Sequence, residues 1–238
     1  MLDQIEKRLN EINGGLVLDV ATGGGEFINF IKAFSSFDKI IAIDKMERMK
    51  DVFNKRFAHE DNIEFRVMDA ENPDFNENTF DTICISNSLH HFENLNNTLN
   101  QIMKILKPGG YLILNEMQSD NLSQSQKSHD MIHRFFAKID EKRGMVHKPT
   151  FTSQEIVDTI KPLNLSKIQT FNYEYYLTQE QAENQVNNLL TMLDKQTEAL
   201  KDNPDFENIK TKIEEIKTHL KENSYSPAKS VFIIAQKA

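Results

Sequence analysis

The sequence predicts an α/β protein built on a doubly wound parallel sheet, and three observations predict it. Short, nearly continuous apolar runs recur along the first half of the chain, stretches of helical periodicity separate them, and the first run ends in a glycine turn that opens a helix. Strands covered on both faces of a parallel sheet read as unbroken apolar runs rather than as period-two alternation, and IIAI, TICI and YLIL read that way.

Each element follows from its own residues. Ile5, Leu9 and Ile12 fall at helical spacing, and Asn13-Gly14-Gly15 stops that helix because glycine accepts the left-handed cap. LVLDVA (16–21) is a strand ending in Thr22-Gly23-Gly24-Gly25, after which Phe27, Ile28, Phe30 and Ile31 return to helical period. The pattern then repeats: strand 39–44, helix 46–58, strand 63–70, strand 80–86, helix 95–107 and strand 109–117. Beyond residue 120 the character changes. Ile132, Phe135, Phe136 and Ile139 share one stripe of a helix within 121–144, and Thr152 with Glu155 has the spacing of a capping box for a short helix. Residues 165–177 are β-rich, 178–225 read as a two-helix insertion around a break at Asn203-Pro204, and 229–238 form a final strand.

Composition bounds the function. The chain has 238 residues with 28 Lys+Arg against 36 Asp+Glu, a formal charge of −8 that argues against a general nucleic-acid binder. Cys84 is the single cysteine, so an internal disulfide and a cysteine zinc site are both excluded. No apolar run approaches the roughly 18 residues of a bilayer span. The expectation is a cytoplasmic, enzyme-sized domain that does not bind membranes.

The glycine turn brings bare N–H groups and a helix N-terminus toward a ligand, and Asp44 stands at the end of the second strand, where a carboxylate can accept from ribose hydroxyls. Together they point to nucleoside binding. Ile28 occupies the place of the third glycine of a dinucleotide fingerprint, which disfavours a pyrophosphate cofactor. VLDVATGGG (17–25), IIAID (40–44), MDAE (68–71), FDTICISNSLHHF (80–92) and LKPGGYLIL (106–114) occur in order. In these five motifs the chain resembles the class I S-adenosylmethionine-dependent methyltransferases, of the type that includes ubiquinone/menaquinone C-methyltransferases, over roughly residues 15–118 and the last strand. Ala21 replaces the first glycine of the family's loop.

The resemblance implies a Rossmann-like, seven-stranded, mostly parallel sheet in a single domain over 1–238. Its cofactor-binding core is 1–118, with helical lid insertions at 119–150 and 178–225. It also implies S-adenosylmethionine as cofactor, held by Asp19, Ala21, Thr22, Gly23, Gly25, Asp44, Lys45, Met46, Asp69, Ala70, Asn87 and Ser88. In that scheme Gly23 and Gly25 approach the methionine part, Asp44 the ribose, Asp69 and Ala70 the adenine, and Asn87 and Ser88 close over the methionyl group.

The family's acceptor pocket lies over the carboxyl ends of strands four and five, which points to His90, His91 and Glu116, with His129 and His133 on the following helix. At i, i+4 those two histidines project from one face; with Glu116 they could deprotonate an acceptor or bind a divalent metal, although no metal ligand is assigned. Solvated histidines and an ordinary post-strand turn account for the same residues. A pocket-facing subset of Arg134, Lys138, Lys142, Arg143 and Lys148 would favour an anionic acceptor, and a solvated surface explains them as well. The leading expectation is methyl transfer to a small-molecule acceptor by in-line displacement with a histidine base, in a chain able to form a homodimer. The alternatives are a non-catalytic nucleoside-binding regulatory protein and a metal-assisted methyltransferase.

Overall fold

The computed structural model describes residues 2–34 and 36–238. Its chain divides into two compact units, one comprising residues 1–117, 153–173 and 230–238, the other 118–152 and 174–229.

The first unit is the sheet and its helices. β1 (Leu16–Val20), β2 (Lys39–Asp44), β3 (Ile63–Val67), β4 (Phe80–Ser86), β5 (Leu106–Met117), β6 (Leu165–Tyr173) and β7 (Ser230–Lys237) lie in the order β3-β2-β1-β4-β5-β7-β6. The first five are parallel, while β7 runs antiparallel to both β5 and β6. Helices α1 (Leu2–Asn10), α2 (Glu26–Phe34), α3 (Met49–Arg56), α4 (Leu95–Ile105) and α6 (Ser153–Ile160) belong to this unit. The seven-stranded, mostly parallel sheet is the architecture the sequence predicts. Its apolar strands are buried because helices cover them: Ile5, Leu9 and Ile12 pack with Val17, Ile28, Ile40, Phe53 and Phe65 in one core. β5 begins at Leu106, earlier than the Gly109 expected from sequence, with a register shift between Phe80 and Thr82. Asp81 steadies the bottom of the sheet, accepting from Leu16 N at 3.0 Å and pairing with Lys107 Nζ at 2.7 Å.

The second unit holds α5 (Gln124–Lys142), α7 (Gln179–Ala199) and α8 (Phe206–Asn223). Each exposes charge on one side and shares apolar residues on the other, where Ile132, Phe135 and Ile139 of α5 meet Leu189 and Leu193 of α7 and Ile213, Ile216 and Leu220 of α8. No described helix is long and apolar enough to cross a membrane.

Candidate cofactor and active site

Reversal of strand order between β1 and β4 opens a crevice at the carboxyl ends of parallel strands, the place where ligands settle on such sheets. The loop after β1 is shaped for it. Ala21, Gly23 and Gly25 all have positive φ (52°, 53° and 79°), so the chain turns sharply before α2. Glycine is required at position 25 for a second reason, since a Cβ there would stand 2.4 Å from Phe57 Cε2. At Gly23 a Cβ would meet nothing within 4 Å, so the backbone is open on that side.

Asp44, at the end of β2, is tied into this loop. Its Oδ2 accepts from Gly23 N at 2.9 Å and its Oδ1 from Met46 N at 2.8 Å, which orients the carboxylate and leaves acceptor positions on both oxygens for a diol. Lys45 beside it is exposed. Asp44 O accepts from Met68 N at 3.0 Å, bringing the Asp69-Ala70 turn alongside; Asp69 is exposed with Oδ1 accepting from Glu71 N, and Ala70 is buried. Asp19 sits under the loop, buried, with Thr22 Oγ1 donating to its Oδ2 at 2.5 Å. Burial raises its pKa to about 7 against the pull of that hydrogen bond, with the charges of Asp44 and Glu26 adding to the rise.

The loop after β4 closes the other side. Ser88 Oγ donates to Ser86 O at 2.6 Å and reaches Ala21 O at 3.4 Å, joining the β4 and β1 loops. Asn87, at φ 46°, turns its side chain toward β5, where Oδ1 accepts from Met117 N at 3.0 Å. His90 and Glu116 meet: His90 Nδ1 lies 3.1 Å from Glu116 Oε1, while Glu116 Oε2 accepts from Leu89 N at 2.9 Å. Both side chains are buried. Glu116, read from sequence as a candidate base or metal ligand, engages its own chain through both oxygens. His91 N donates to Ser88 O at 3.0 Å, and its ring lies 4.3 Å from that of His90.

His129 and His133, expected to act together from one face of α5, go to different partners. Their shared face does not make a shared site. His129 Nδ1 accepts from Ala228 N at 2.9 Å and its ring packs on Tyr225, with burial lowering its pKa against the opposing charge of Asp130. His133 Nε2 instead lies 3.2 Å from His147 Nε2, and His147 Nδ1 lies 3.0 Å from Asp140 Oδ2. Sequence reasoning missed Asp140 altogether; its signal was the Gly144 turn that folds 147 back toward α5. Arg134, Lys138, Lys142, Arg143 and Lys148 are all exposed, with Arg134 on Asp130 and Lys142 on Asp205. Tyr173 packs edge-on against Phe30, and Tyr175 and Tyr176 are exposed beyond the end of β6.

Residues 18–114 match the model described as "Methyltransferase domain". Over that stretch the chain is similar to the class I methyltransferases. The cofactor of that family is S-adenosylmethionine, and the crevice suits it: an oriented carboxylate for the ribose, a second acidic turn for the adenine, and an open positive-φ loop for the methionine. Among curated proteins, the chain is 31% identical over 121 residues to the ubiquinone/menaquinone biosynthesis C-methyltransferase UbiE of Hydrogenovibrio crunogenus, covering 49% of this chain and 48% of that one. It is 28% identical over 120 residues to the demethylmenaquinone methyltransferase of Clavibacter sepedonicus, covering 50% and 48%. The chain thus spans about half the length of these curated relatives. Among solved structures, the YcgJ protein of Bacillus subtilis superposes with a TM-score of 0.58 at 17% identity, covering 99% of this chain and 97% of that one. A phosphoethanolamine N-methyltransferase 2 of Haemonchus contortus, in complex with phosphomonomethylethanolamine and S-adenosylhomocysteine, gives 0.57 at 19%, covering 98% and 51%. At these identities the likeness shows the fold.

Proposed function

We propose that the chain transfers the methyl group of S-adenosylmethionine to a small-molecule acceptor. The observation that carries the reading is the pairing of Gly23 N with Asp44 Oδ2 across the β1 and β2 ends, which presets a ribose acceptor against an open glycine loop. When bound, the cofactor supplies a methyl group on a sulfonium, ready for in-line displacement. Asp44 holds the ribose, the Asp69-Ala70 turn receives the adenine, and Ala21 to Gly25 line the methionine. Such an enzyme works mainly by aligning the nucleophile and taking its proton.

His90 is the proposed proton acceptor. Glu116 accepts its Nδ1–H, which selects the tautomer with a basic Nε2 and steadies the imidazolium after proton transfer. One curated relative is named a C-methyltransferase of ubiquinone/menaquinone biosynthesis and another a demethylmenaquinone methyltransferase, so a demethylmenaquinone analogue is the first acceptor to offer.

Calorimetry with S-adenosylmethionine, followed by detection of S-adenosylhomocysteine across an acceptor panel, tests the proposal. Asp44→Ala is expected to weaken cofactor binding at least ~10-fold, as loss of hydrogen bonds to two hydroxyls implies. Unaltered binding in that variant would sink the cofactor assignment. Binding without S-adenosylhomocysteine formation by any acceptor would favour the non-catalytic nucleoside-binding alternative. With a working acceptor, His90→Gln is expected to lower kcat while leaving cofactor affinity in place.

A further inference from the structure

We propose that the second unit binds one divalent transition-metal ion between His133 and His147, with Asp140 buttressing His147 from behind. The site is built locally. α5 ends at Lys142, and Gly144, at φ 78°, reverses the chain while Met145 N donates to Asp140 O at 3.0 Å. That reversal lays His147 against the helix turn carrying His133.

The separation of the facing nitrogens is the first argument. His133 Nε2 and His147 Nε2 lie 3.2 Å apart. Two imidazoles that share one ion at ~2.0–2.1 Å each, with octahedral or tetrahedral angles, place their nitrogens about 2.8–3.4 Å apart. Ring placement is the second argument. A head-on N–H···N bond would separate the ring centroids by the nitrogen distance plus a ring radius at each end, well beyond the observed 4.7 Å. The rings lean relative to the line joining their nitrogens, as ligands converging on a point beside that line do.

The third argument is the carboxylate. Asp140 Oδ2 lies 3.0 Å from His147 Nδ1, the placement by which a carboxylate orients a metal-binding imidazole from behind. The His147 side chain is only 8% exposed, so the arrangement is shielded from competing water. Imidazole nitrogens select a borderline cation such as Zn²⁺, Co²⁺ or Ni²⁺ over Mg²⁺ or Ca²⁺. The ion would clip the loop after α5 to the helix and stabilise this unit by mass action.

The test is a titration of the metal-free, full-length chain with Co²⁺, followed by visible absorption, and with Zn²⁺ by calorimetry, without S-adenosylmethionine. One equivalent is expected to bind, and Zn²⁺ is expected to raise Tm. His147→Ala and His133→Gln should each abolish the visible band and the Tm shift, and Asp140→Asn should weaken binding 10- to 100-fold. His59→Gln, in the other unit, should change neither. Circular dichroism checks that the variants fold; should His147→Ala not fold, His133→Gln and Asp140→Asn decide. No band in the wild-type chain, or a band that survives both histidine substitutions, overturns the proposal. Either outcome leaves the cofactor reading standing, because cofactor affinity is measured separately.

Discussion

At the scale of single residues, the loop between β1 and α2 concentrates the tension of the site, and Asp19 is its centre. In the folded chain this carboxyl holds its proton up to about pH 7, while in the unfolded chain it is released near the ordinary aspartate value of 3.8. Between those values the folded state binds more protons, so stability falls as pH rises through the window, by up to about 4 kcal/mol at ~1.4 kcal/mol per pKa unit. Denaturant midpoints measured at pH 5 and pH 8 should differ for the wild-type chain and converge for Asp19→Asn. Ala21 adds a second tension. It holds φ 52° without being glycine, so Ala21→Gly should raise stability by about 0.5–1 kcal/mol, the left-handed penalty less the entropy of a freer unfolded chain. Gly25→Ala should do the reverse and cost several kcal/mol, because its Cβ would press on the buried rings of Phe57 and Phe53. The glycine turn and Asp44 were legible because they follow spacing along the chain. The protonation of Asp19 was not, since it depends on burial under a loop that only the folded sheet supplies.

At the scale of elements, helices were read well at their apolar stripes and less well at their ends. The sequence reading placed a capping box at Thr152 and Glu155, and α6 does begin at Ser153. It overlooked two boxes that the structure contains. Ser123 accepts from Gln126 N while Gln126 Oε1 accepts from Ser123 N, and Thr178 and Gln181 do the same for α7. Glutamine in the fourth position carries the same signal as glutamate, and its omission explains why α5 was expected to start near 121 rather than at 124. Thr178→Ala and Ser123→Ala should each cost about 1 kcal/mol, read as a shift in urea midpoint at unchanged slope. A change in slope would mean that more than a helix end had come loose. β6 shows the opposite limit. Tyr173, Tyr175 and Tyr176 look like one strand in sequence, yet β6 stops at Tyr173, whose ring joins the core with Phe30, and the next two tyrosines are exposed.

At the scale of the whole molecule, the chain holds two kinds of architecture whose sequence signals differ. The sheet unit was legible because alternating strands and helices leave few topologies open. The histidine partners were not, because helix periodicity says which residues share a face but not what meets that face: His129 finds Ala228, nearly a hundred positions away, and His133 finds His147 across a reversed turn. The helical unit has its own core, with Ile216 fully buried against residues of α5 and α7, whereas every proposed cofactor residue lies in the sheet unit. Ile216→Ala therefore removes about 2–5 kcal/mol from the packing that holds α5, α7 and α8 together. Hydrogen exchange should show amides of α7 and α8 opening in this variant while those of β1, β4 and β5 keep their protection. S-adenosylmethionine affinity should stay within about two-fold of the wild type, since two-fold is only ~0.4 kcal/mol and no cofactor contact is altered. A parallel loss of protection in β1 and β4, or of cofactor binding, would show instead that the two units unfold as one cooperative body.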